Sequence, residues 1–229
     1  MNPLIEEGIL VKEQIIKDKG YLDKINTLLY DFLKIKNTTH KRTDNCLHHL
    51  LTYDKYLFLE ILEILLSIKE IHNYFNYPFI MHSFGAVINK SSKKSYTHNW
   101  HIDTYEETNE RCMLNILIPL CDFTLENGCT QIFPKNSDSY RRVCLNKGDI
   151  LCFNSSLKHC TGNNTTSYDR NCLTITFVKM YLKPQFDYTS LYTEKELEQI
   201  KKSIKVLLNY ESKIPKTLTD FYNKKYRLK

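Results

Sequence analysis

The 229-residue sequence predicts a mainly β fold, a sandwich or barrel of short strands bracketed by α-helices. Three observations carry that expectation. Before about residue 77, apolar residues recur at the three- and four-residue spacings of helices with one buried stripe. From about 77 to 185 the pattern changes to short apolar runs separated by Gly, Asn, Ser, Lys and Pro, as in a protein of many strands. After about 190 helical spacing returns. No internal repeat or linker interrupts this order, so one domain spanning 1–229 is expected: a helical part over about 1–76, a β core over about 77–185 and C-terminal helices over about 190–229.

In the first part, "YLDKINTLLYDFLKI" and "KYLFLEILEILLSIKEIHNYF" each place a broad apolar stripe on one helix face. The strand candidates follow as "YPFIMHSFGAVI", "CMLNILIPLC", "GCTQIFP", "GDILCFN" and "NCLTITFVKMYL", each bounded by turn formers. The tail "TEKELEQIKKSIKVLLNY" begins acidic and continues basic, in keeping with the helix dipole.

Composition narrows the function classes. A hydrophobic fraction of 42% can fill one sizeable core. The net charge of +6 does not by itself indicate nucleic acid, and none is expected as a partner. Eight cysteines fall mostly inside strand-like runs and form no CxxC pair, so buried reduced thiols are expected in place of a zinc ribbon or a disulfide framework. The acidic N-terminus lacks the basic start and apolar core of a signal peptide, and no run reaches membrane-spanning length. A cytoplasmic protein with no membrane partner is the expectation; the sequence leaves its oligomeric state open.

Chemistry concentrates in "YTHNWHIDTYEE", which surrounds the one tryptophan of the chain. If this segment is extended, His101 and Asp103 project from one face while Ile102 points the other way. The run "GDILCFNSSLKHCTGNN" supplies His159 at the end of a strand that can lie against the first. Two imidazoles and a carboxylate on one side of a metal, with the opposite positions open, form the ligand set of non-haem Fe(II) oxygenases. Arg170 follows eleven positions after His159, at the start of the next strand. Its guanidinium fork suits a carboxylate in a way that a lysine point charge does not. The remaining histidines, His40, His48, His49, His72 and His82, have no partner at ligand spacing and are expected to be structural or surface residues. Tyr96, His98, Asn99, Trp100, Tyr105 and Arg111 flank the motif as candidates for a pocket wall.

Residues from about 80 to 182 resemble the phytanoyl-CoA dioxygenase family of Fe(II)- and 2-oxoglutarate-dependent oxygenases, which includes ectoine hydroxylase-like enzymes. The matching pieces are "WHID", "LIPLCDFTLENGCTQIFPKNS" and "GDILCFNSSLKHCTGNNTTSYDR", in the family's order and spacing. One departure is Pro134-Lys135-Asn136-Ser137, where the family reads Pro-Gly-Ser-His in a loop near the pocket mouth.

The resemblance implies a double-stranded β-helix, a jelly-roll, cupin-like core of two facing sheets with iron at one end. His101, Asp103 and His159 map onto the metal ligands, and Arg170 onto the residue that binds the distal carboxylate of 2-oxoglutarate. Thr161 maps onto an assisting hydroxyl. Asn115 and Leu117 would line the cosubstrate pocket, with Asn89 as a further contact. Fe(II), 2-oxoglutarate and O2 are the implied cofactor and cosubstrates. The implied reaction is hydroxylation, less often desaturation, of an unactivated C–H bond in a small-molecule or carrier-linked metabolite, with release of succinate and CO2. Because Asp103 fills the position that related halogenases leave free for chloride, halogenation is disfavoured. Two other classes remain open: an oxygenase acting on protein or nucleic acid, and a jelly-roll binding module without turnover.

Overall fold

The computed structural model describes residues 2–40, 45–91, 96–104, 111–211 and 217–222. Among the described residues, nine strands form two antiparallel sheets. The larger has the order β1 (Ile9–Lys12), β7 (Ile150–Asn154), β4 (Met113–Pro119), β9 (Arg170–Lys179), β3 (Phe79–Asn89) and β2 (Cys46–Leu47). The smaller has β6 (Arg141–Val143), β5 (Thr130–Ile132) and β8 (His159–Thr161). The smaller sheet faces the larger as the second layer of a jelly roll.

Alternation of side chains along the large sheet separates two cores. One face, carrying Ile116 and Ile118 of β4 with Leu173, Ile175 and Phe177 of β9, packs under the helices. These are α2 (Lys19–His40), α3 (Leu59–Leu66), α4 (Lys69–Phe75) and, after the barrel, α6 (Lys202–Leu207). The other face packs Leu151, Phe153 and Cys172 against Ile132 and Val143 of the small sheet. The intervening β4 and β9 residues on that face, Asn115, Thr174 and Thr176, are polar and line a cavity.

The structure departs from the expected element pattern in three places. The N-terminal part contains strands: β1 pairs with β7, and β2 with β3, so this region supplies both edges of the large sheet. A two-residue strand and a four-residue strand are too short to show a periodicity of their own. The long apolar run 55–75 folds as two helices, because Ser67 turns its hydroxyl onto the Ile64 carbonyl at 2.7 Å and Ile68 is extended at ψ 104°. The C-terminal run likewise divides into α5 (Glu194–Gln199), opened by a Thr193–Glu196 capping box, and α6, with Ile200 extended between them.

None of the eight cysteines forms a disulfide; five are buried, as expected of reduced thiols, while Cys112 and Cys121 are half-buried and Cys144 is exposed. Among the described residues no helix is long and apolar enough to cross a membrane.

Candidate metal centre

His101 and His159 lie directly opposite each other in a short antiparallel bridge. The amide of each donates to the carbonyl of the other, at 3.0 and 2.9 Å. Residues paired this way project their side chains from the same face, which brings the two ring centroids to 4.3 Å. Asp103 follows two residues after His101 on that face, and its amide is anchored to the Ser155 carbonyl at 3.0 Å.

The hydrogen bonds of the rings decide their tautomers. Nδ1 of His101 lies 2.7 Å from the Asn99 carbonyl and Nδ1 of His159 lies 2.9 Å from the Leu157 carbonyl. A carbonyl only accepts, so each Nδ1 carries the proton and each Nε2 presents a lone pair. Both Nε2 atoms lie 3.6 Å from a carboxylate oxygen of Asp103, and the three ligand atoms fall within 4.8 Å of one another. Metal–ligand bonds of about 2.0–2.2 Å to nitrogen and oxygen can span that separation. Burial holds the His159 imidazole below its ordinary pKa, partly offset by the Asp103 charge.

Behind the carboxylate, Asn115 donates from Nδ2 to Asp103 Oδ2 at 2.5 Å, and Thr176 donates to Asn115 Oδ1 at 3.1 Å. Asn115 does line the cavity, as expected with Leu117, yet the hydrogen bond it makes is to the acidic ligand candidate. This chain of contacts starts in β9, passes through β4 and fixes the orientation of Asp103.

Arg170 occupies the start of β9 and is fully enclosed. Its guanidinium stacks 4.2 Å over the Phe123 ring centroid, while Nε and Nη1 have no hydrogen-bond partner. Burial lowers its pKa from the usual arginine value, and no carboxylate pairs with it among the described residues. A guanidinium does not deprotonate in proteins, so a buried one with no carboxylate partner among the described residues is suited to take an anion.

A cavity of about 310 Å³ joins Arg170 to the two histidines and Asp103. Thr161 lines it, opposite Thr130 in the β5–β8 register. That pairing depends on Gly128, at φ 80°, because a Cβ there would come within 2.1 Å of the Gly162 carbonyl oxygen.

Other expected site residues lie elsewhere. Asn89 does not line the cavity; it is buried and donates to the Asn127 and Gly162 carbonyls, bracing the loops beside β5 and β8. Its strand position opposite Arg170 puts it beside the Arg170 end of the cavity without giving it access. His98, Asn99, Trp100 and Arg111 also lie outside the lining. Trp100 points away from His101, as alternation requires, and packs on Phe133 and Tyr140. Tyr96 sits on a 3₁₀ turn from which Thr97 reaches the cavity, and Tyr105 lies outside the described residues. None of residues 134–137 lines the cavity, and the Lys135 amide is tied to the Glu7 carbonyl. Conversely, His48 and His82, expected to be structural or surface residues, are cavity-lining, together with Ser83, Gln185, Thr130, Thr174 and Thr176. A strand bulge at His82 marks this second wall.

Comparison with known proteins agrees with this arrangement. The model of the phytanoyl-CoA dioxygenase (PhyH) family matches residues 31–172. Dioxygenase FUM3 of Gibberella moniliformis is 25% identical over 123 residues, 49% of this chain and 41% of that protein. Dioxygenase ALT11 of Alternaria alternata is 27% identical over 110 residues, 44% of this chain and 36% of that one. The chain therefore matches only about two fifths of the length of these relatives or less. Among solved structures, HygX from Streptomyces hygroscopicus with nickel and 2-oxoglutarate bound superposes with a TM-score of 0.61 at 13% identity, covering 79% of this chain and 86% of that one. The non-heme alpha ketoglutarate dependent epimerase SnoN from nogalamycin biosynthesis gives 0.62 at 12% identity, covering 78% and 80%. At these identities the superpositions speak for the fold, and with the family match they establish that the chain belongs to the phytanoyl-CoA dioxygenase family.

Proposed function

We propose that this protein is an Fe(II)- and 2-oxoglutarate-dependent dioxygenase that hydroxylates an unactivated C–H bond of a small-molecule or carrier-linked metabolite, releasing succinate and CO2. One observation carries the reading: a single cavity contains both an open two-histidine, one-carboxylate set and a buried guanidinium with no carboxylate partner among the described residues. Each half asks for a different partner, a metal and a carboxylate, and 2-oxoglutarate connects them.

The residues present fit both groups. His101 and His159 are held in the tautomer that offers Nε2, and Asp103 supplies the negative charge that favours a divalent ion. Bound iron supplies the activation of dioxygen that is coupled to oxidative decarboxylation of 2-oxoglutarate. The chain itself positions the parts. Asn115 and Thr176 orient the Asp103 carboxylate, and Arg170 takes the distal carboxylate of 2-oxoglutarate, with the Thr161 and Thr130 hydroxyls on the same wall. Enclosure of Arg170 strengthens that ion pair by removing water from around it. Asp103 occupies the site a halide would need, which favours hydroxylation over halogenation.

Incubation of the purified protein with Fe(II), 2-oxoglutarate and O2 tests the proposal by succinate release. Release that requires all three and is abolished in His101→Ala is the expected result. Full activity in His101→Ala would remove the metal assignment.

A further inference from the structure

The cavity has a second wall that neither the metal nor the 2-oxoglutarate assignment uses. It is built from β3, the residue after β2, and the segment following β9: His82 and Ser83, His48, and Gln185. Three separate irregularities aim these side chains at the cavity. First, the β3–β9 register shifts between Met81 and Ser83, leaving His82 as an extra residue, so two consecutive side chains face the same space where a regular strand would offer one. Such bulges redirect side chains beside active sites. Second, Gly85 has no side chain where a Cβ would stand 2.4 Å from the Leu47 carbonyl oxygen and 3.2 Å from Thr174 Oγ1. The backbone at Leu47 therefore crosses the sheet closely enough to deliver the next residue, His48, to the cavity. Third, the Gln185 amide donates to the His82 carbonyl at 3.0 Å, tying the segment after β9 onto the bulge.

We infer that His48, His82, Ser83 and Gln185 form the recognition wall for a neutral, hydroxyl-rich prime substrate of monosaccharide size. The inference deepens the proposed dioxygenase reading and rests on it for the assignment of Arg170 to the cosubstrate. The chemistry of the wall selects the class. Among the described lining residues, the carboxylate is Asp103 and the guanidinium or ammonium is Arg170, so a charged substrate finds no uncommitted carboxylate, guanidinium or ammonium among them. Leaving a charge unpaired in an enclosed site is costly. The wall instead offers groups that both donate and accept: imidazole, primary amide and hydroxyl. A polyol carries that same mixture on every carbon. His82 is half-buried and lines the cavity, and its imidazole is braced by a backbone hydrogen bond to Lys183, so it is a positioned group on this wall. Burial also holds the His82 imidazole below its ordinary pKa, so it faces the cavity uncharged near neutral pH. With 2-oxoglutarate at the Arg170 end, a cavity of about 310 Å³ leaves space for one further small molecule.

The test is anaerobic binding calorimetry on the full chain, with and without Fe(II) and 2-oxoglutarate. The probes are methyl glucoside and myo-inositol against glucuronate, glucosamine and decanoate. The inference expects the neutral polyols to bind, with affinity falling by about 5- to 150-fold in His82→Phe, the range for losing a hydrogen bond to an enclosed partner, and by about 2- to 10-fold in Gln185→Leu, whose side chain is exposed. The separately titrated affinity for 2-oxoglutarate should stay unchanged in both variants. Gln185 is exposed at the rim, so Gln185→Leu reports even if His82→Phe does not fold. Preference for a charged probe, absence of binding by either neutral polyol, or polyol binding that survives both substitutions would overturn the inference. Loss of 2-oxoglutarate binding in the unaltered protein, with polyol binding intact, would overturn the cosubstrate assignment while supporting this wall.

Discussion

The helix-covered face and the cavity face of the six-stranded sheet are made from alternate residues of the same strands, and they differ in kind. Along β4, Ile116 and Ile118 enter the helical core, while Asn115 between Leu114 and Ile116 faces the cavity and holds Asp103. Along β9, Leu173, Ile175 and Phe177 pack outward under the helices, while Arg170, Thr174 and Thr176 face inward. The helix side is continuously apolar and complete in itself. The cavity side sets a buried guanidinium, with no carboxylate partner among the described residues, across from three groups that can ligate a metal. Neighbouring positions in one strand therefore have separable jobs: one register contributes stability, and the other forgoes packing to hold ligands.

Substitutions on the two faces should separate those jobs. The largest effect is expected on the cavity side at Arg170. Arg170→Ala should weaken 2-oxoglutarate on the order of 10²-fold or more, as removal of a buried charge partner does, while Fe(II) binding is nearly intact. Equal 2-oxoglutarate affinity by calorimetry would take Arg170 out of its role. Asn115→Ala should lower Fe(II) affinity by about 10- to 100-fold, measured by competition with a metal chelator, because Asp103 loses its orienting donor. An effect on 2-oxoglutarate alone would return Asn115 to the pocket lining the sequence suggested.

Three residues further along, Ile118→Ala should do the reverse. Truncating this fully buried side chain is expected to cost about 2–5 kcal/mol of stability, read from denaturant unfolding, with ligand affinities of the folded protein unchanged. A change in Fe(II) or 2-oxoglutarate affinity there would break the division between the faces.

The smallest effect concerns His49, outside both. Burial lowers its pKa from an ordinary 6.5 to about 4, and it stacks on Phe186 at 4.5 Å. The unfolded chain takes up this proton first, so stability is full above about 6.5 and declines as pH falls toward 4. His49→Asn, which tolerates the left-handed φ of 54°, should make the decline of Tm with acid shallower. An unchanged slope would assign the acid sensitivity to other groups.

The part of this plan readable in the sequence was the part written in local patterns. Strand-like runs, helical stripes and the spacing of His101, Asp103, His159 and Arg170 each depend on residues close together or on a repeated family order. What was not readable depends on the third dimension. Asn89 and Arg170 face one another across two strands, yet only the latter reaches the cavity. The pocket-wall candidates around Trp100 were chosen by nearness in sequence, and the alternation that aims His101 inward sends Trp100 outward. His48 and His82 lie far from the metal motif in the chain, and only a bulge and a glycine crossing bring them to it. The short edge strands β1 and β2 take their conformation from the strands they pair with, and so carry no signal of their own.

The central claim, that one cavity joins a metal set to a cosubstrate arginine, is tested most directly by anaerobic titration of the metal-free protein with Fe(II) and then 2-oxoglutarate. A weak visible charge-transfer absorption of the chelated keto acid, appearing only when both are present, is the predicted result. Fe(II) binding with no such absorption at saturating 2-oxoglutarate would contradict it, because the metal set and the arginine would then not be serving the same ligand.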